Sequence, residues 1–321
     1  MSEPFGPDTL VSVVVPTYNR ADYVAATIES VLAQTHPRVE CVVIDDGSTD
    51  GTEQVLSRFR DRIVSKRQQN AGLAAARNAG IRASRGELIG FLDSDDLWEP
   101  RLVEAVIDTL RRYPDAGAVF LAERTIDPGG RLVGHVHTKK SPGVYFTPEG
   151  MIGRDTGVGS GRPPVARRSV LEHFGSFDES FRNYAVDCAM WIPLSFEVPM
   201  VLLAEPLVRR RVHPGNVSGD IAMDARAWLR ILDRIEAEQP SFCAEHRRLM
   251  RRTRAKQHLR IGRELLERSA DRREQLSEAR AHLWSALSKW PWFARGWVYL
   301  VWSLVAPTSY GSFRTTERRW R

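Results

Sequence analysis

Three carboxylates fall within four residues of the stretch Gly90-Phe91-Leu92-Asp93-Ser94-Asp95-Asp96-Leu97-Trp98-Glu99-Pro100. Like charges this close repel one another unless a cation or hydrogen-bond donors hold them. Carboxylate oxygens suit hard divalent ions, and Mg²⁺ or Mn²⁺ bound this way commonly also touches substrate phosphates. A second reading is structural, with the acids biasing a helix N-terminus and Pro100 opening a helix at Arg101. An Asp-x-Asp pair alone does not choose between the two.

The elements around the acids narrow the choice. Leu88 to Leu92 is a short apolar run bounded by Gly86 and by the acids, which predicts a buried strand. Leu10 to Val15 is β-branched throughout, as a strand covered on both faces should be. Val24, Ile28, Val31 and Leu32 follow at helical spacing, with Asp22 as the expected N-cap. Cys41 to Ile44 predicts a second strand, Thr52 to Phe59 a helix, Ile63-Val64 a short third strand, and Leu73 to Ala83 an Ala-rich helix. Strand alternating with helix predicts an α/β fold, a mostly parallel sheet with helices on both faces. Ligands of such sheets bind outside the carboxyl ends of the strands.

No Gly-x-Gly-x-x-Gly follows the first strand, and no Gly-x-x-x-x-Gly-Lys-Ser/Thr occurs, which argues against a dinucleotide site and an NTPase phosphate loop. The strand tips carry Tyr18, Asp46 and the Asp93/Asp95 pair instead. An aromatic face, a hydrogen-bond acceptor and a metal-binding pair suit a base, a ribose and a diphosphate. Asp46 also lies in Asp45-Asp46-Gly47-Ser48, a composition that turns favour for backbone reasons alone.

Four segments in order, Val14-Val15-Pro16-Thr17-Tyr18-Asn19-Arg20, Asp45 to Thr52, Asn70-Ala71-Gly72 through Ala76-Arg77-Asn78, and Phe91 to Asp96, resemble the successive motifs of family-2 glycosyltransferases. The resemblance implies an A-type glycosyltransferase fold and inverting transfer of a sugar from a nucleotide-diphosphate donor, most simply a UDP-sugar. It also implies residue roles. Pro16, Thr17 and Tyr18 line the base, Asp46 accepts from a uracil-type ring, Arg77 lies near the diphosphate, Asp93 holds ribose and Asp95 binds the metal. Gly175-Ser176-Phe177-Asp178-Glu179 is similar to the family's Gly-Gly-Phe-Asp-Glu turn. Beyond it Asp187 matches the base that deprotonates the acceptor hydroxyl, while Val186 stands where the family has Glu, Ala189 where a second acid is common, and Pro193 where Arg is expected. Burial amid Val186, Cys188, Ala189 and Met190 is expected to desolvate the Asp187 carboxylate and make it more basic. The segment Arg209 to His213 resembles the closing Arg-x-His, which implies that His213 reaches the metal or diphosphate, and a neutral imidazole beside a carboxylate suits Mn²⁺.

Between these segments, Ala118 to Leu121 predicts a strand, Asp127-Pro-Gly-Gly130 a turn, and Thr156 to Gly161 a loop or connector of small residues. Val201-Leu203 and Leu207-Val208 read as two further strands. From Asp220 the pattern is helical, over Asp220–Glu238, Glu245–Arg268 and Glu274–Lys289, and then Trp290 to Pro307 is rich in Trp. We therefore expect a catalytic domain over residues 1–218, its donor half at about 1–115 and its acceptor half at about 116–218, followed by a helical region over 219–321.

Charge divides along the same line. From Ser241 onward 18 Lys and Arg face 7 Asp and Glu, a net +11, which leaves 28 against 33 in residues 1–240. A basic, aromatic tail behind an acidic body is the makeup of an interfacial helix that meets an anionic membrane face, though it also suits helices packing as a small core. No nucleic-acid partner is expected. Cys41, Cys188 and Cys243 are too few and too scattered for a disulfide framework or metal-ligand spacing, and the Met1 end lacks the signal-peptide pattern, so a cytoplasmic protein, peripheral to the membrane at most, is the expectation.

The reading that results is a metal-dependent (Mn²⁺ or Mg²⁺) glycosyltransferase acting on a hydroxyl acceptor, a glycan or lipid-linked glycan of the cell surface. Its rivals are a degenerate donor-binding or scaffold protein, suggested by Val186 and Ala189, and a sugar-1-phosphate nucleotidyltransferase, which wants a Gly-rich phosphate loop that Pro16-Thr17-Tyr18-Asn19 does not supply.

Overall fold

The computed structural model describes residues 5–133, 145–153, 164–213, 220–268 and 273–305. The expected loop at Thr156 to Gly161 lies outside them. The chain forms two compact units, Met1–Asn216 and Val217–Arg321.

The first unit opens with strand β1 (Val11–Thr17), helix α1 (Val24–Leu32), β2 (Val39–Asp45), α2 (Thr52–Ser57), β3 (Val64–Arg67), α3 (Leu73–Ala83), β4 (Leu88–Phe91), β5 (Leu97–Trp98) and α4 (Leu102–Arg112). It continues with β6 (Ala118–Ile126), α5 (Pro148–Gly153), β7 (Val165–Arg167), α6 (Arg168–Phe174), α7 (Val186–Leu194) and β8 (Met200–Arg211). One eight-stranded sheet runs β3-β2-β1-β4-β7-β6-β8-β5. Its first four strands are parallel, as the sequence leads one to expect. β7 then enters antiparallel between β4 and β6, β8 lies parallel to β6, and β5 closes the far edge antiparallel to β8. The sheet is thus mixed beyond β4.

Alternate residues of β1 serve opposite layers. Val11, Val13 and Val15 join Val24, Ile28 and Val31 of α1 and Leu102 and Val106 of α4 in the main core. On the other face Ala76 of α3 packs with Val42 and Ile44 of β2. Gly80 permits this close approach, since a Cβ there would lie 2.2 Å from Val14 Cγ1.

Local boundaries differ from expectation at several places. Asp22 does not cap α1, whose N-cap position is Tyr23 with no side-chain hydrogen bond. The two strands expected at Val201–Leu203 and Leu207–Val208 are one, because β6 follows β8 through Pro206 by a register shift between Leu121 and Glu123. Pro206 cannot donate to the ladder, so a bulge absorbs it. The Asp127 turn forms as expected, with its Oδ1 accepting from Arg131 N at 2.9 Å.

The second unit is helical, with α8 (Ile221–Glu238), α9 (Pro240–Glu245), α10 (Arg247–Arg268), α11 (Arg273–Lys289) and α12 (Ala294–Val305). Asp220 caps α8 by accepting from Met223 N at 3.0 Å. Ala225, Ile261, Leu265, Leu266, Ala279, Leu283 and Tyr299 form its own core. Among the described residues no helix is long and apolar enough to cross a membrane.

Candidate active site

The three acids after β4 are not a helix cap. α4 begins at Leu102 behind Arg101, and no side chain caps it. Each carboxylate instead meets its own donor. Asp93 Oδ1 accepts from Arg77 NH2 at 3.1 Å, Asp95 Oδ2 from Arg20 Nε at 3.2 Å, and Asp96 Oδ1 from the Arg211 backbone N–H at 2.8 Å. The repulsion expected of such a cluster is answered by two guanidiniums, on Asp93 and Asp95, and by a backbone N–H on Asp96. The pairing of β5 with the end of β8 brings this about, setting Leu97 opposite Arg209 and so carrying Arg211 and His213 back to the acids.

His213 reaches Asp95, with Nε2 3.0 Å from Oδ2, and its ring stacks on Tyr23 at 4.7 Å between centroids. Among the described residues no group of three or more His, Cys, Asp and Glu could hold a metal. A divalent ion shared with substrate phosphates needs only one or two protein ligands. An imidazole nitrogen and a carboxylate oxygen are donor types that such an ion takes, and Asp95 Oδ2 also accepts from Arg20 Nε.

Pro16 and Thr17 are buried at the end of β1, and Thr17 Oγ1 has no hydrogen-bond partner among the described residues. Tyr18, the next residue, is 45% exposed and presents its ring at the sheet's carboxyl edge. Asp46 is buried and fully engaged with the segment after β3. Its Oδ1 accepts from Gln68 Nε2 at 2.7 Å and Ala71 N at 2.9 Å, and its Oδ2 from Gly72 N at 2.8 Å. It braces the loop that leads to α3, a structural duty that accompanies any contact with a base.

Arg77 is the centre of the arrangement. It is wholly buried on α3, donating from NH1 to Asp187 Oδ1 at 2.7 Å and from NH2 to Asp93 Oδ1 at 3.1 Å. Its guanidinium lies 5.3 Å from the Phe177 ring centroid and 5.8 Å from that of Phe91. Burial disfavours its charge, but Asp187 and Asp93 outweigh that and hold it above the ordinary guanidinium value. The expectation that Arg77 faces a diphosphate therefore meets an inward-turned side chain whose visible work is to tie two acids together.

Asp187 lies in the first turn of α7, where the helix dipole favours a negative charge. Val186 and Ala189 are buried in the core, so the acids missing there are replaced by packing. The apolar surroundings expected of Asp187 are only part of its environment, since a buried cation faces it. Asp93 is more open, with 37% of its side chain exposed.

Asn78, next to Arg77, fixes the turn before α7. It donates from Nδ2 to Phe177 O and Glu179 Oε1, both at 2.9 Å, and accepts from Phe177 N. At the start of α3, Leu73 N donates to Asn183 Oδ1 at 2.8 Å and Ala74 N to Arg182 O at 3.0 Å. Arg182 and Ala185 hold positive φ angles of 49° and 50°, and Asn19 one of 52°. All three non-glycine residues that hold this region of backbone space among the described residues border the site, where such strain tends to collect. Gly72, at φ 96°, lets α3 start hard against Arg182. Arg20, Asn78 and Arg211 lie inside the motif segments without a role assigned to them there, and Asn183 lies outside those segments.

Residues 12–175 match the model of glycosyl transferase family 2. The chain belongs to that family. The family-2 chain is 39% identical over 225 residues to a chondroitin synthase of Escherichia coli, an alignment covering 65% of this chain and 30% of that one. It is 42% identical over 103 residues to a putative teichuronic acid biosynthesis glycosyltransferase of Bacillus subtilis, covering 31% and 41% of the two. The chain thus spans well under half the length of either relative. Staphylococcus aureus TarS residues 1–349, solved with UDP-GlcNAc, shares the glycosyltransferase fold at a TM-score of 0.63 and 18% identity, with 97% of this chain and 91% of that one covered.

Proposed function

We propose that this glycosyltransferase moves a sugar from a UDP-linked donor to a hydroxyl of a growing surface polysaccharide or lipid-linked glycan, with inversion. The observation that carries the reading is the Asp93–Arg77–Asp187 bridge, which joins a donor-side acid to an acid on the acceptor half through one buried cation. The relatives named for chondroitin and teichuronic acid synthesis support a polysaccharide product, and the UDP-GlcNAc bound to TarS supports a UDP donor.

In this reading Asp187 accepts the acceptor hydroxyl's proton as the oxygen attacks the anomeric carbon. The bond from that carbon to the diphosphate breaks, and the diphosphate departs with the electron pair. Arg77 holds Asp187 in place through the hydrogen bond from its NH1. Asp93 takes the ribose, Tyr18 offers a ring to the base with Thr17 and Pro16 behind it, and Asp46 holds the loop beneath. Asp95 and His213 would hold Mn²⁺ or Mg²⁺, which supplies neutralisation of charge on the leaving diphosphate.

Thermal unfolding with UDP tests the donor side. UDP with Mn²⁺ at ~100 times its dissociation constant is expected to stabilise the chain by ~2.7 kcal/mol, and UDP without the ion by much less. Asp95→Ala is expected to lose that difference. An unchanged Mn²⁺-dependent shift in Asp95→Ala would take the ion away from Asp95, and stronger stabilisation by another nucleoside diphosphate would replace uridine.

A further inference from the structure

We infer that the outward face of α12, with the tryptophan turn before it, is a docking surface for an anionic lipid bilayer. This goes beyond glycosyl transfer and stands whether or not that reading holds.

Gly296, Tyr299 and Ser303 turn one side of α12 into the core of the second unit. Trp297, Val298, Val301, Leu304 and Val305 are exposed along the other. That spacing of one, four, seven and eight residues is a continuous helical stripe. Trp292, in the turn that precedes α12, is 85% exposed and adds to the apolar surface. Soluble surfaces rarely leave this much aromatic and branched side chain in water without a partner.

Charge identifies the partner. Arg247, Arg248, Arg251 and Arg252 are all exposed at the start of α10. The Arg248 guanidinium lies 5.6 Å from the centre of the Trp290 ring, so this basic cluster adjoins the aromatic turn. Arg295 is exposed at the first turn of α12 itself. Tryptophans at headgroup level, aliphatic side chains beyond them and arginines alongside are what a bilayer with anionic lipids binds. A second copy of the chain fits less well, because a two-fold contact through this face sets one arginine cluster near the other.

The test is co-sedimentation of the full chain with vesicles of phosphatidylcholine containing phosphatidylglycerol, and with phosphatidylcholine alone. Binding is expected only with phosphatidylglycerol, falling as salt rises. The triple variant Trp297→Glu, Val301→Glu, Leu304→Glu changes exposed positions only and is expected to bind these vesicles about a hundredfold more weakly or worse, with an unchanged circular dichroism spectrum. Arg248→Glu with Arg251→Glu, which leaves the apolar stripe intact, is expected to weaken binding and flatten its salt dependence. Failure of the wild type to bind phosphatidylglycerol vesicles, or equal binding by the triple variant, would overturn the inference. So would a wild-type dimer in light scattering that the triple variant converts to monomer, since a second copy would then own the face.

Discussion

Asp187→Asn is expected to reduce transfer by ~10²-fold or more while leaving UDP affinity nearly intact. The asparagine Oδ1 can still accept from Arg77, and Asp93 still pairs with the other arm of the guanidinium, so the arrangement survives while the proton acceptor is lost. The comparison is between acceptor-dependent turnover and UDP binding measured on the same preparation. Transfer at a near wild-type rate would move the base elsewhere, with Asp178 and Glu179 the nearest acids in sequence. Lost UDP affinity would mark Asp187 as a brace for the donor side.

The second large effect concerns Arg77. Arg77→Met is expected to cost about 3–5 kcal/mol of stability, because it strands buried Asp187 without its cation. Methionine fills much of the volume, so the loss is chiefly electrostatic. The double variant Arg77→Met, Asp187→Asn separates this from packing. It is expected to be more stable than Arg77→Met alone, since the stranded charge is gone. Denaturant midpoints of wild type, the two single variants and the double complete the cycle. A double variant no more stable than Arg77→Met would mean that Arg77 acts through its contacts with Phe177 and Phe91.

Much of residues 10–96 was legible because its signals are local. Runs such as Leu10–Val15 and Cys41–Ile44 are buried on both faces and read as strands without help, and Asp93, Asp95 and Asp96 lie at a strand end that apolar neighbours define. Other elements depend on partners distant in sequence. Two-residue β5 exists only because β8 lies beside it, and Pro206 reads as a break unless the bulge opposite Leu121–Glu123 is known. The same distance hides the electrostatics. Arg77 is read by resemblance as a diphosphate contact until Asp187, far along the chain, closes on it. Arg20 and Arg211 likewise gain their roles only when folding brings them to Asp95 and Asp96. The exposed stripe on α12 was ambiguous for a related reason, since an aromatic-rich helix reads alike whether it covers a core or leaves one face outside.

Early-time proton NMR of an α-linked UDP-sugar incubated with the chain and Mn²⁺, with water as the default acceptor, tests the central claim most directly. The account predicts slow donor consumption in which the β-anomer of the free sugar appears before mutarotation mixes the two. Appearance of the α-anomer first would contradict inversion.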